Sequence, residues 1–260
     1  MLFRAVSRTV WLALLLSLGH VVRAEPPARA QGALGVQLRL AVGMTQRHVA
    51  VTAADGPRSL QLGPTPAISL RIDSEAPLGV WRLGVGLDYR SSVLGRVHDV
   101  AAGPNADATQ AAVRSHAFEA GMRARVALGS EPSASSLAVF VGYGVRAFAS
   151  VAALQMPRFS LHGAVLRVEL ELALQTTGAR LHLAPEFQWL PSISAGMRDV
   201  AGIRGGAFAV GGVAVLTLPI SARWGLQLAY RESRAWSPQA TRSFRDVERY
   251  VLLGVTYDWL

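Results

Sequence analysis

Four histidines and an aspartate carry the acid–base chemistry this sequence could offer beyond its regular charge pattern: His48, His98, Asp99, His116 and His162. Each falls at or near the end of a patterned segment, on what the pattern below makes the extracellular side. Imidazole and carboxylate within hydrogen-bond reach could activate a water or a hydroxyl there. No second spacing pattern joins these residues into a dyad or a metal-ligand set. The chain has no cysteine, which removes thiolate ligands and disulfides together. No metal and no cofactor are expected, and catalysis is the weaker reading.

A second group of charges is far more ordered. In LRVELELALQTTGARLHLAPEFQW, residues 166–189, Arg167, Glu169 and Glu171 alternate with Leu166, Val168, Leu170 and Leu172. After a short turn, Arg180, His182 and Glu186 interleave with Leu181, Leu183, Phe187 and Trp189. A period of two places successive side chains on opposite faces of a β-strand. The same alternation recurs from Leu34 to the end of the chain. One face collects Arg39, Arg71, Asp73, Arg82, Asp88, Arg90, Glu119, Arg123, Arg125, Arg146, Arg167, Glu169, Glu171 and Glu186, spaced by Gly84, Gly86, Gly121, Gly142 and Gly144. The other face is aliphatic and aromatic.

The alternating runs predict an all-β fold of about ten antiparallel strands over residues 34–260, closed up-and-down into a barrel. Links at one end are short, at residues 74–77, 129–135, 175–178 and 218–221. Those at the other end, after strands 1, 3, 7 and 9, are longer, as at 95–110 and 233–246, while the link after strand 5, at 153–158, is short on the side where length is expected. That asymmetry describes short periplasmic turns and long extracellular loops. One segment tests the assignment, because residues 205–222 hold no charge and could be read as a membrane helix. Gly205, Gly206, Gly211, Gly212 and Pro219 argue for a glycine-rich strand instead. Face parity also predicts the turn after residue 174. A two-residue loop would set Glu169 opposite Glu186, whereas a four-residue loop sets Arg167 opposite Glu186 and Glu171 opposite His182 and is preferred.

Alternation alone fits a soluble barrel with apolar residues inside or a membrane barrel with apolar residues outside. The ionic face is too small-residue-rich and too ionic for a solvated surface, and it suits a crowded polar interior. Aromatics on the apolar face gather near strand ends: Trp81, Trp224, Tyr257 and Trp259 by the short turns; Tyr89, Phe118, Phe187, Trp189 and Tyr230 by the long loops. From Trp81 to Tyr89 a tilted strand rises about 20 Å, close to the ~25 Å apolar band between aromatic girdles. The closing LLGVTYDWL, with Gly254, Tyr257 and Trp259, resembles the terminal strand of bacterial outer-membrane β-barrel proteins, departing from it in carrying Leu260 after the aromatic. The resemblance implies a transmembrane barrel in the cell outer membrane, contact with its lipids, and insertion by the barrel-assembly machinery with periplasmic chaperones.

The N-terminus agrees with export. Arg4 and Arg8 precede an apolar run at residues 10–18, followed by small residues around Ala24, which reads as a signal peptide over 1–24 with cleavage after Ala30 also possible. Residues 25–33 form a leader. All basic residues are Arg; removing 1–24 lowers the formal charge from +9 to about +6. These charges are scattered, which excludes a nucleic-acid partner. A lumen of about ten strands sits near the side-chain-filled limit. The interior is expected to be a salt-bridged structural core, or a narrow anion-preferring pore because Arg outnumbers acid. Two alternatives stand beside it: an outer-membrane barrel enzyme, omptin-like or lipid-modifying, using the rim His and Asp; and a soluble lipocalin-like periplasmic barrel.

Overall fold

Alternating side-chain chemistry is satisfied here by a single closed sheet. The structure is a computed structural model that describes residues 34–53, 56–95, 97–99, 113–129, 134–150, 159–174, 178–194, 198, 202, 205–237 and 243–259. Its strands are β1 (Gly35–Ala53), β2 (Gly56–Leu78), β3 (Trp81–Gly95), β4 (Val97–Asp99), β5 (Val113–Ala127), β6 (Ser136–Ser150), β7 (Phe159–Leu174), β8 (Ala179–Ile193), β9 (Ala207–Pro219), β10 (Trp224–Trp236) and β11 (Phe244–Trp259). Apart from β4, each strand pairs antiparallel with the next long strand in the chain, β3 with β5, and β1 pairs with both β2 and β11, so the sheet has no open edge. β4 continues the line of β3 along the same partner strand, with Leu60 opposite Asp99. The result is a ten-strand barrel whose third strand is in two pieces. The proposed signal peptide and leader lie outside the described residues.

Residues 207–219 form a strand hydrogen-bonded on both sides, so the glycine-rich reading of that segment holds. Among the described residues no helix is long and apolar enough to cross a membrane. The hairpin between β7 and β8 closes with Leu174 opposite Ala179, Arg167 opposite Glu186 and Glu171 opposite His182, the four-residue register. Gly178 at φ 65° supplies its left-handed position. At the β2–β3 hairpin the structure differs from the sequence reading. Residues 74–77 remain in β2, and the chain turns at Gly79 (φ 61°) and Val80. Gly79 tolerates positive φ where no residue of 74–77 does so readily, and the longer strand carries Glu75 into the interior.

Outward side chains form an apolar belt. Leu40, Val42, Leu83, Val85, Met122, Val139, Val141, Leu166 and Leu253 are all exposed, Met122 at 70% and Val141 at 57%. Arg90, Glu119, Arg123, Arg146, Arg167 and Glu169 are buried within. This is the polarity of a barrel solvated by hydrocarbon. The soluble lipocalin-like alternative requires the reverse and is overturned.

Toward the end opposite the chain termini the two faces exchange character, which the sequence reading did not anticipate. On β1 the outward series Leu38, Leu40, Val42, Met44 continues as Gln46 and His48, while inward Arg39, Thr45 and Arg47 give way to Val49 and Val51. On β10, outward Trp224, Leu226, Leu228 and Tyr230 give way to Glu232 and Arg234, while Ala235 is buried inside. On these two strands parity is unbroken and only the chemistry swaps. A strand that leaves hydrocarbon for water must turn its polar residues out and can then fill its interior with apolar ones. From Tyr230 to Trp236 the strand rises a further ~15 Å at ~3.3 Å per residue and ~40° tilt. Beyond Tyr230 the outer wall therefore turns polar on β1, β10 and β11 as far as Arg234, while Trp236, Phe208 and Trp189, aligned across β10, β9 and β8, keep that part of the wall aromatic.

Three glycines explain how an aromatic fits the polar lumen. Gly86, Gly121 and Gly142 sit opposite one another on β3, β5 and β6. The buried Phe140 ring lies across them, with the Arg167 guanidinium 5.1 Å from its centroid. A Cβ at Gly121 would meet Phe140 Cζ at 2.8 Å, and one at Gly142 would meet Cε1 at 2.9 Å. Gly121→Val is accordingly expected to destabilise the barrel by about 1–3 kcal/mol through overpacking, measured by urea unfolding in lipid vesicles.

Candidate functional site: a salt-bridged lumen

Inward charged positions on every long strand but β9 meet in the lumen as a series of ion-pair groups. At the end near the chain termini, Glu75 receives Arg123, with Arg125 Nε at 3.2 Å and Arg82 Nε at 3.6 Å. Arg71 donates through Nε to Asp73 (2.8 Å) and through Nη2 to Glu169 (2.8 Å), and Arg123 Nη2 reaches Glu169 at 2.6 Å. Arg180 pairs with Glu171, and Arg39 donates to Gln37 Oε1 at 2.7 Å. His182 is buried opposite Glu171.

Mid-lumen, Arg231 spans the barrel from β10. Its Nη2 lies 2.8 Å from Glu119 on β5 and 2.7 Å from Glu186 on β8, and its Nη1 lies 3.3 Å from Asp88 on β3. Arg167 joins the same carboxylates, donating through Nε to Glu186 at 2.9 Å and contacting Glu119. Arg90 also pairs with Glu119. Gln188 Nε2 donates to Glu186 Oε1 at 2.6 Å. Near the membrane's far edge, Arg47 grips Asp246 with two donors at 2.8 and 2.7 Å. Glu248 accepts from Tyr250 (2.8 Å) and Ser115 (3.1 Å), while Arg146 contacts Ser233.

Above this network the interior is apolar. Val49, Val51, Leu60, Leu62, Phe148, Phe159, Leu161, Leu190, Ile193, Ala207, Ala209, Ala235 and Phe244 form one buried cluster. Phe148 stacks on Phe159 at 5.2 Å, and Phe244 meets Phe159 edge-on at 5.3 Å. The Arg47 guanidinium sits 5.4 and 5.5 Å from the Phe148 and Phe159 centroids, joining the ionic layer to the apolar one. Two layers of different chemistry, one ionic and one apolar, are thus stacked in series along the lumen.

Every lumen residue taken from the alternation, from Arg39 to Glu186, lies on the inward face in this arrangement. Sequence reasoning missed Glu75, because 74–77 reads as a turn, and Arg47, Asp246 and Glu248, because their strands change facial chemistry there. Arg47 and Asp246 do sit at inward parity, so extending the period-two count past Met44 and below Val251 would have found them. Arg still outnumbers acid, but the carboxylates are shared: Glu75 and Glu119 each serve three guanidiniums.

The aromatic set lies on the outer wall. Trp81, Phe118, Phe187, Trp189, Trp224, Tyr230 and Trp259 are exposed, and Tyr89 and Tyr257 half-buried. Trp224 and Tyr257 touch at 4.6 Å between centroids. Tyr143, Phe208 and Trp236 share that wall. The three rim histidines whose side chains are described are not brought together. His48, His116 and His162 occupy β1, β5 and β7, no two adjacent, and face outward. His116 Nδ1 contacts Tyr89 Oη at 3.0 Å and Ser91 Oγ at 3.1 Å, and His162 contacts Tyr143. The side chains of His98 and Asp99 lie outside the described residues. No cluster among the described residues could hold a metal ion.

No protein-family model and no curated relative matches the sequence. Solved structures do match. The chain superposes on the outer membrane protease OmpT from Escherichia coli with a TM-score of 0.53 and 8% identity, covering 92% of this chain and 99% of that one. The translocator domain of the autotransporter NalP from Neisseria meningitidis matches at 0.40 and 13% identity over 98% and 95% of the two chains. Ail of Yersinia pestis matches at 0.33 and 12% over 86% and 99%. At such identities the likeness is one of fold, carried by the first of these: a bacterial outer-membrane β-barrel.

Proposed function

We propose that this protein is an outer-membrane barrel with a sealed lumen and a structural role in that membrane. It is exported through the signal peptide at residues 1–24, or 1–30. Residues 34–260 then insert through the barrel-assembly machinery with periplasmic chaperones, and the outward belt meets outer-membrane lipid. The observation that carries the sealed reading is a pair of stacked layers: guanidinium–carboxylate bridges crossing the lumen through Arg231, then the buried apolar Phe148–Phe159–Phe244 cluster. An ion passing through would have to break several buried charge pairs and then enter a region with no polar partner, each costing several kcal/mol. A narrow anion-preferring pore would instead need a continuous wet path past uncommitted guanidiniums.

Planar bilayers distinguish the two. Reconstituted protein is expected to give no current steps above the lipid baseline at any accessible voltage. Reproducible single-channel steps with anion preference would replace the sealed reading with the pore. Cell fractionation with heat-modifiable migration in detergent gels tests the location separately.

A further inference from the structure

The outer wall carries a charge cluster that the lumen argument does not use. Glu232 on β10 stands directly opposite Arg249 on β11 in the strand register. Its carboxylate accepts from the Tyr230 hydroxyl at 2.7 Å, from Arg234 Nε at 2.8 Å and Nη2 at 2.7 Å, and from Arg249 Nε at 3.1 Å. All four residues point away from the lumen. On β10 the unbroken apolar outward run ends at Tyr230, with exposed Trp236 following Arg234 and Val210 of β9 standing opposite Arg234, so at ~3.3 Å per residue and ~40° tilt the carboxylate and Arg234 lie about 5 and 10 Å beyond Tyr230, within the aromatic girdle. That is the headgroup layer of the leaflet on the side away from the termini.

We infer that Arg234 and Arg249, held together by Glu232, bind the phosphate of an anionic lipid headgroup in that leaflet. A guanidinium has five N–H donors in a rigid fork that matches phosphate oxygens. Glu232 engages only one or two from each and fixes the pair side by side. The two arginine side chains keep 54% and 42% of their surface exposed. Two cations against one anion leave the cluster positive, and exposed Arg245 and His48, with half-buried Gln46, are its neighbours on β11 and β1. Over the described outward positions of β1, β10 and β11 beyond Tyr230, Glu232 is the sole acid. As surface ion pairs these contacts contribute only roughly 0–1 kcal/mol, so the guanidiniums stay available to a phosphate. Tyr230 contributes an amphipathic ring suited to the same depth.

The test compares the full barrel in phosphatidylcholine vesicles, in the same vesicles containing phosphatidic acid, and in phosphatidylcholine with inorganic phosphate. The wild-type urea midpoint is expected to rise with phosphatidic acid and not with inorganic phosphate. The Arg234→Gln/Arg249→Gln protein is expected to keep its phosphatidylcholine midpoint and lose that rise. By native mass spectrometry it should retain phosphatidic acid about tenfold less well, which corresponds to roughly 1.4 kcal/mol. Glu232→Gln, which adds net positive charge, should still show the rise. An equal rise in the double variant, no rise in the wild type, or a rise reproduced by inorganic phosphate alone would each overturn the assignment. If the double variant unfolds early even in phosphatidylcholine, its lipid retention relative to Arg234→Gln alone decides, and unchanged retention refutes the site.

Discussion

Arg231→Leu is expected to lower the unfolding free energy by about 3–5 kcal/mol, the cost of removing one partner from a buried charge network. Arg231 is only 5% exposed, and its guanidinium is shared among Asp88, Glu119 and Glu186. Leucine would fill part of its volume but leave mid-lumen carboxylates with one cation fewer. Glu119 would still hold Arg90 and Arg167, and Glu186 would keep Arg167, so the loss is large but not total. Lysine at the same position keeps the charge and loses the fork that reaches three carboxylates, so Arg231→Lys should fall between. Urea unfolding in lipid vesicles, followed by tryptophan fluorescence, measures all three. Arg234→Leu on the outer wall is the comparison and should cost no more than ~1 kcal/mol in phosphatidylcholine. An Arg231→Leu loss below that level would mean that water penetrates and screens the lumen, and the sealed reading would go with it.

The second large effect tests the medium outside the barrel. Val141 is mid-strand on β6, outward, and 57% exposed. Val141→Arg should cost about 2–4 kcal/mol, the penalty for a guanidinium at the bilayer midplane. Gln46→Arg, on the outward face of β1 where the polarity has reversed, should cost about 0–1 kcal/mol. Like-charge repulsion from Arg249, which stands opposite Gln46, raises the cost at that position, so a larger loss at Val141 reports chiefly depth. Equal costs at the two positions would show that the boundary drawn at Tyr230 and Gln46 is misplaced.

Much of this molecule could be read from residue order. A period of two is a local property of the chain, so the inward set from Arg39 to Glu186 and the lipid-facing set from Leu38 to Leu253 follow from counting. The register of the β7–β8 hairpin was legible for the same reason: parity admits only even loops, and like charges opposed would have chosen against the shorter one. Glu75 was lost because Ser, Glu and Pro together resemble a turn. The actual turn depends on Gly79 two residues later, whose positive φ outweighs the composition before it. The inversion on β1 and β10 was missed because periodicity records that faces differ and is silent on which medium each face meets.

The chain by itself determined that strands with one ionic and one apolar face must close on each other, since hydrocarbon leaves no backbone group unpaired and a one-residue slip would turn every charge into lipid. Only the tertiary structure decided which charge meets which. Arg231 and Asp88 are 143 residues apart and approach only across the closed lumen. The partners of a charge there are fixed by strand tilt and stagger, which are properties of the whole ring of strands rather than of any one of them.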